Sequence, residues 1–222
     1  TKDDSSIQVK ALPSRYPQGA ENVLVHNATG RVVPRGKRQT DVGVMLNNVT
    51  TMASIGRFLK TGMPLVKRRF TVSGDAIASP LQREHHHRHA PARRHGIRRA
   101  DEGAAQGGAG RTHDGQRQID MDYPVIRQNN GVLVFSKDAM EQPATTACIR
   151  CGRCTNSCPM QLSPIAIKKA YTVQDAKKLD DLMADLCMGC GTCSFVCPAK
   201  QPLAQTSKLA RDFMRAEMAR RG

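Results

Sequence analysis

Eight cysteines carry the strongest chemical pattern in this 222-residue sequence, and all of them lie between Cys148 and Cys197. The first array, "CIRCGRCTNSCP", supplies Cys148, Cys151, Cys154 and Cys158, followed by Pro159. The second, "CMGCGTCSFVCP", supplies Cys187, Cys190, Cys193 and Cys197, followed by Pro198. Both read C-x2-C-x2-C-x3-C-P, a spacing that suits iron–sulfur cubes. Three thiolates wrap one [4Fe–4S] cube from a tight loop, and the fourth is carried away by its proline to the other cube. The expected ligand sets are therefore crossed. Cys148, Cys151, Cys154 and Cys197 hold cluster 1, and Cys187, Cys190, Cys193 and Cys158 hold cluster 2. Gly152, Gly189 and Gly191 fit loops that need close backbone approach and permissive φ. Arg150 and Arg153 read either as a docking surface for an acidic redox partner or as ordinary solvated charges.

Zinc is the rival for C-x2-C pairs, but a tetrahedral site takes four ligands, usually as two pairs. It has no use for a third regularly spaced cysteine or for the Cys-Pro. Disulfides are the rival for any eight cysteines, but nothing in the sequence indicates export. The elements that must position the arrays are helical. The 28 residues joining them hold Ile165, Ile167 and Ala170 on one short helix. Leu179, Leu182, Met183 and Leu186 form an i, i+3, i+4, i+7 stripe on another. After Pro202, "SKLARDFMRAEMARRG" reads as a terminal helix with Leu209, Phe213 and Met214 as its apolar face. This predicts a ferredoxin domain of the α-helical type.

The rest of the chain is leaner in chemistry. With no Trp, 4% aromatics and a mean hydropathy of −0.47, no single large core is expected. The formal charge of +15 would suit an anionic partner. Its spread along the chain and the scarcity of stacking residues argue against nucleic acid. No apolar run approaches a membrane span, and "TKDDSSIQVK" lacks both the core of a secretory signal and an initiator Met, which is expected of a fragment or a processed product. In residues 22–80, "NVLVH" and "DVGVML" read as strands. "NNVTTMASIGRFLKTG" reads as a helix with Met52, Ile55, Phe58 and Leu59 on one face and Gly62 as its C-cap. "PLVKRRFTVSGDAI" returns to strand. The segment holds no G-x-G-x-x-G and no P-loop.

At this point a family resemblance becomes specific. "YPQGAENVLVHNATGRVVPRGKRQTDVGVMLNNVTTMASI" with "PLVKRRFTVSGDAI" resembles the C subunit of the Rnf (Rsx) electron-transport complex. "ACIRCGRCTNSCPMQL" and "MGCGTCSFVCP" resemble the ferredoxin portion of the same protein. The match covers most of residues 14–80 and 121–218. More distantly, the N-terminal portion is similar to the flavin- and NADH-binding subunit of respiratory NADH dehydrogenase. The resemblance implies a peripheral subunit on the cytoplasmic face of the cell membrane. Its partners would be the other subunits of the complex and a ferredoxin or flavoprotein, and the complex would exchange electrons between ferredoxin and NAD, coupled to ion movement. It also implies FMN or nucleotide contacts at Gly19, Glu21, Asn47 and Asn48, where turn chemistry is the competing reading. The family's glycine-rich flavin/NADH loop lies upstream of the matching region and has no counterpart in this sequence. Independent NADH activity is therefore not expected of the chain as it stands.

Between the two matching parts lies "LQREHHHRHAPARRHGIRRADEGAAQGGAGRTHDGQRQ", residues 81–118, with eight Arg and six His but no Val, Phe, Tyr or Met. A His-rich metal tract and a basic nucleic-acid arm are two readings of it. A compensated frameshift is the third, and it is preferred. With permitted codons read one base later, "LQREHHHRHA" becomes Cys-Asn-Val-Asn-Ile-Thr-Ile-Gly-Thr-Pro. The same displacement turns "RTHDGQR" into Gly-Pro-Met-Met-Gly-Asn-Ala, which resembles a Gly-Gly-Pro-Met-Met-Gly turn of the family's β-domain. So little apolar area cannot offset a backbone ordering cost of roughly 1–2 kcal/mol per residue, which predicts that residues 81–118 are disordered or packed without specificity. "VIRQNNGVLVF" then reads as a hairpin with Asn-Gly at its turn.

The expected fold class is α+β. Residues 1–62 form a partial α/β flavoprotein-subunit-like segment, 63–136 a β-domain disrupted at 81–118, and 137–222 the two-cluster ferredoxin domain with its C-terminal helix. The leading function is one-electron relay through two [4Fe–4S] clusters. A flavin-dependent reductase, such as the related cobalamin-reducing subunit, and an inactive relic are the competing readings.

Overall fold

The computed structural model describes residues 6–77, 79–86, 107–109, 116–117, 131–136, 138–140 and 143–221. They fall into two compact units. One combines residues 1–48 with 148–222, and the other spans 49–147. The helix that follows Asn48 thus clusters with the sheet rather than with the N-terminal segment.

In the first unit, the stretch expected as a strand at "NVLVH" is instead helix α1 (Glu21–Thr29). Three consecutive apolar residues carry no period of their own, so local signals decide. Turn bonds from Gln18 N–H to Arg15 O and from Ala20 N–H to Pro17 O lead the chain in. Glu21 stands in the first turn, and Gly30 at φ 75° closes the helix with its N–H on His26 O. "DVGVML" is not a strand either. A 3-10 turn, Gln39–Val42, ends at Gly43 with φ 71°, and the Asp41 carboxylate accepts from the Arg38 N–H at 2.8 Å.

The cysteine-rich part is a duplicated helical structure with a constant separation of 39 residues. Helix α3 (Arg153–Asn156) matches α6 (Thr192–Phe195), and α4 (Pro164–Thr172) starts one repeat before α7 (Leu203–Arg221). Positive φ recurs at matching places: Arg150 with Gly189, Gly152 with Gly191, and Gln161 with Lys200. Two halves that bend the backbone leftward at the same three points wrap their loops in the same way. Between them, α5 (Ala176–Asp181) is capped by the Asp175 carboxylate on Lys178 N–H. The predicted stripe from Leu179 to Leu186 is not one helix. Met183 sits at φ 51°, and a 3-10 turn, Ala184–Leu186, follows. Leu179 is fully buried while Met183 is exposed. The left-handed residue redirects the chain so that Leu186 and Cys187 come back against the core.

That core joins Leu162, Ile167, Ala170, Leu179, Ala184, Ala210 and Met214. Tyr171 and Phe213 meet edge to face, their centroids 5.9 Å apart. On α7 the buried face is Leu203, Ser207, Ala210 and Met214, whereas Leu209, expected to be apolar-facing, is exposed. Phe213 packs at the edge of the core.

The second unit holds α2 (Val49–Thr61) and a five-stranded sheet. Its strands are β1 (Lys67–Ser73), β2 (Leu81–His86), β3 (Gly107–Ala109), β4 (Gln116–Arg117) and β5 (Gly131–Val134), in spatial order β2-β1-β5-β3-β4. Helix α2 spans the expected residues and ends with the Gly62 N–H on Phe58 O. Its Met52, Ile55, Phe58 and Leu59 are exposed rather than core. The sheet core is Phe70, Val72, Val132 and Val134, with Ala76, Ile77 and Leu81 beside it.

At residues 81–86 the expectation of disorder is corrected, because β2 pairs antiparallel with β1 from Val72↔Leu81 to Lys67↔His86. Backbone pairing needs no apolar side chains of its own. Phe70 and Val72 supply the buried face, and Leu81 packs onto it. Most of the remaining frameshift reading lies outside the described residues. So does the first strand of the expected hairpin, and β5 finds its described partners in β1 (parallel) and β3 (antiparallel).

Candidate iron–sulfur centres

The two thiol sets are built to different degrees. Cys187 leaves the 3-10 turn after Met183, Cys190 precedes the left-handed Gly191, and Cys193 lies in α6. Cys158 arrives from the other array on the loop after α3. These four line one cavity, closed by apolar residues of α4 and α7, among them Pro164, Ile167 and Ala204. The set expected for cluster 2 is thus brought together from both arrays. For the cluster 1 set, Cys154 and Cys197 pack into one core with Ile165 and Leu203, a core that also holds Cys193 of the other set. Cys148 and Cys151 are exposed on their loop, where the Arg150 N–H donates to the Cys148 sulfur at 3.4 Å. Among the described residues, no three His, Cys, Asp or Glu side chains stand close enough to share a single metal ion. In a cubane each cysteine serves a different iron, at the corners of a cage.

Electrostatics distinguishes the buried thiols. Burial pushes the Cys193 thiol up to about 12. Burial also raises Cys187, against the Gly189 amide and the Arg211 guanidinium, which pull it down. Buried thiols held in the neutral form must lose their protons to ligate, so iron binding here displaces protons. Arg211 also donates to the Cys187 carbonyl at 2.9 Å, fixing the start of the second loop to α7. The Cys190 thiol donates to the Thr192 hydroxyl oxygen at 3.4 Å.

The N-terminal segment touches this region within the same unit. The Tyr16 hydroxyl donates to Cys190 O at 2.5 Å. Arg35 bridges Asp185, through Nε at 2.9 Å to each carboxylate oxygen, and Asp180, through Nη2 at 2.5 Å. Sequence reading missed both residues, because neither stands in a motif.

The four expected flavin or nucleotide residues lie in three places along the chain. Gly19 is exposed in the turn before α1, and Glu21 opens α1, its carboxylate accepting from Gln39 Nε2 at 3.1 Å. Asn47 and Asn48 are exposed in the irregular stretch before α2. In the other unit, an open cavity beside α2 is lined by Ser54, Arg57, Lys67, Arg69 and Glu84, which the sequence did not single out. Of the histidine-rich tract, His85 and His86 lie in β2; its other histidines lie outside the described residues. Among the described residues, no helix is long and apolar enough to cross a membrane.

Two family models match the chain. The Nuo51 FMN-binding domain covers residues 1–57, and the 4Fe-4S dicluster domain covers residues 147–201. Among curated relatives, the C subunit of the Na(+)-translocating ferredoxin:NAD(+) oxidoreductase complex of Acetobacterium woodii is 36% identical over 168 residues, covering 74% of this chain and 38% of that protein. The C subunit of the proton-translocating ferredoxin:NAD(+) oxidoreductase complex of Clostridium ljungdahlii is 34% identical over 171 residues, covering 73% and 36%. The C subunit of the ion-translocating oxidoreductase complex of Erwinia tasmaniensis is 31% identical over 169 residues, covering 72% and 20%. The chain therefore spans well under half the length of each of these relatives. A dicluster iron–sulfur domain behind a flavin-domain-like segment, matched along most of the chain by these relatives, places the chain in the C-subunit family of ion-translocating ferredoxin:NAD oxidoreductase complexes.

Proposed function

We propose that this chain relays single electrons through two [4Fe–4S] clusters as a peripheral subunit of a membrane-bound ferredoxin:NAD oxidoreductase complex, docked on the cytoplasmic face and coupled to ion translocation. The observation that carries the reading is the cavity lined by Cys158 together with Cys187, Cys190 and Cys193. The donor set fits a cubane: four thiols, three from one tight loop and one from the other array, enclosed by apolar helix faces. By the duplication, Cys148, Cys151, Cys154 and Cys197 form the matching set. Bound there, the clusters supply reversible one-electron chemistry at potentials set by hydrogen bonding and burial.

The chain's own residues position and insulate. Gly152 and Gly191, at φ 73° and 84°, let each loop turn back over its thiols. Ile167, Leu203 and Met214 keep the domain interior apolar, and Arg211 anchors the second loop. Redox partners and the other subunits of the complex are read from what the relatives are named for.

The match of residues 1–57 to an FMN-binding domain favours a second function, flavin contact through Gly19, Glu21, Asn47 and Asn48. Both readings are tested on the full chain prepared without oxygen. Iron and sulfide analysis with electron paramagnetic resonance of the reduced protein is expected to give two coupled cubanes per chain. Zinc, or a single cluster, would overturn the relay. Flavin released on denaturation is expected only if the N-terminal segment binds it.

A further inference from the structure

Helix α7 turns one polar side chain inward. Its buried positions Leu203, Ser207, Ala210 and Met214 form a single stripe, and Ser207 is 2% exposed. A serine inside a helix ordinarily bonds back to the carbonyl one turn earlier. Neighbouring Thr206 does so to Pro202 O at 2.9 Å, and Thr172 does so to Lys168 O at 2.9 Å. The Ser207 hydroxyl does not, and among the described residues it is the buried side-chain oxygen without a hydrogen-bond partner. Buried polar groups are almost always satisfied, so an orphan needs a partner of another kind. Ser207 lines the cavity shared by Cys158, Cys187, Cys190 and Cys193. A bridging water would need two to four polar partners, and the α4 and α7 side of this cavity offers Pro164, Ile167 and Ala204 instead.

Resting on the two-cluster reading above, we propose that the Ser207 hydroxyl donates a hydrogen bond to a sulfur of the cluster held by Cys158, Cys187, Cys190 and Cys193, and so makes that cluster easier to reduce than it would be without the bond. Reduction adds one electron to an already anionic cage. A fixed donor stabilises the more negative state more strongly, and the proton stays on the serine oxygen throughout. The duplication makes this feature one-sided. One repeat earlier, the place of Ser207 is taken by Lys168, whose ammonium is bonded to the Gln201 side chain. The two otherwise matching halves are thereby given different environments, and a difference in potential sets the resting place of the electron. Ser207 is a positioning and tuning residue, not a ligand.

The test is a potentiometric titration of the full chain followed by electron paramagnetic resonance, with cluster 2 identified as the signal lost in Cys187→Ser. Ser207→Ala is expected to keep its iron content and lower the reduction equilibrium of cluster 2 about tenfold, which is about 59 mV for a one-electron couple. The potential of cluster 1 should not move, and Ser207→Thr, which retains the hydroxyl, should restore that of cluster 2. Unchanged potentials in a fully loaded Ser207→Ala, or equal shifts of both clusters, would overturn the assignment. Should Ser207→Ala not load, Ser207→Cys and Ser207→Thr take its place. The stronger donor must then give the higher potential, and the reverse order would sink the idea. Failure of the two-cluster reading shows separately, as a missing cluster in the unmodified chain.

Discussion

The hydroxyl of Tyr16 donates to the carbonyl of Cys190 at 2.5 Å, joining residues 174 apart in sequence. Cys190 lies in the loop that closes the cluster 2 cavity, so this bond connects the N-terminal segment to the region the clusters are expected to occupy. Removing it in Tyr16→Phe leaves the ring and forfeits a net contribution of about 1 kcal/mol. That corresponds to roughly a fivefold change in a local opening equilibrium. Iron captured by a chelator, followed by loss of visible absorbance, should be released about fivefold faster from Tyr16→Phe. An unchanged rate would mean that the tyrosine does not hold the loop.

Arg35 makes the other tie, reaching Asp185 and Asp180 within the same unit. The hydrogen bonds to Asp185 and then Asp180 raise its pKa above its already high range. A group raised in the folded state contributes stability that is whole below its unfolded pKa and is lost only as pH rises through the folded value. Here that window lies beyond any working pH, so this tie should show no alkaline loss attributable to the guanidinium. The side chain is 37% exposed, and solvent screening holds the expected cost of Arg35→Ala to about 1 kcal/mol. A double-mutant cycle with Asp185→Asn should show coupling that shrinks as salt is added; salt-independent coupling would point to packing instead.

The cysteine arrays were legible because ligand spacing is a local property. A loop that wraps a cube must place its thiols and its left-handed residues within a dozen positions, and both arrays do. Helix α1 was not legible, because Val23, Leu24 and Val25 form a run too short to show a period, and the turn at Pro17–Ala20 with the cap at Gly30 decided its conformation. The break at Met183 was hidden for a different reason. The stripe from Leu179 to Leu186 has helical spacing, yet its members belong to a helix and a 3-10 turn joined by one left-handed residue. Ser207 escaped because Leu209 offered a plausible apolar face on the same helix. Only packing shows that the buried stripe runs through Leu203, Ser207 and Ala210. At β2 the composition misled, since a strand can borrow its buried face from its neighbour.

In the sheet unit, Gly74 sits at φ 128°, and a Cβ there would stand 1.8 Å from the Val134 carbonyl oxygen. Both the conformation and the contact forbid a side chain. Backbone strain of this kind costs about 1–3 kcal/mol before any clash is counted, and the clash falls on β5, whose Val132 and Val134 are core. Gly74→Ala should therefore lose sheet structure by circular dichroism at temperatures where the parent chain keeps it. The helical signal and the iron content of the other unit should persist. If the sheet survives intact, the close approach of Gly74 to Val134 is not essential.

The crossed ligand sets make a prediction that needs no prior assignment of the spectra. If Cys158 serves the cluster of the second array, Cys158→Ser must erase the same resonance as Cys187→Ser. Likewise Cys197→Ser must erase the same resonance as Cys148→Ser. Uncrossed sets give the opposite pairing, with Cys158→Ser matching Cys148→Ser. The geometry favours crossing at cluster 2, because Cys158 lines a cavity with Cys187, Cys190 and Cys193. At cluster 1 the packing does not discriminate, because Cys197 shares its core with both Cys154 and Cys193. Each single substitution should halve the cubane content while leaving the other cluster's signal in place. Loss of both clusters in Cys158→Ser and Cys197→Ser, with retention of one in Cys148→Ser, would show instead that the Cys-Pro thiols hold the domain together before they hold iron.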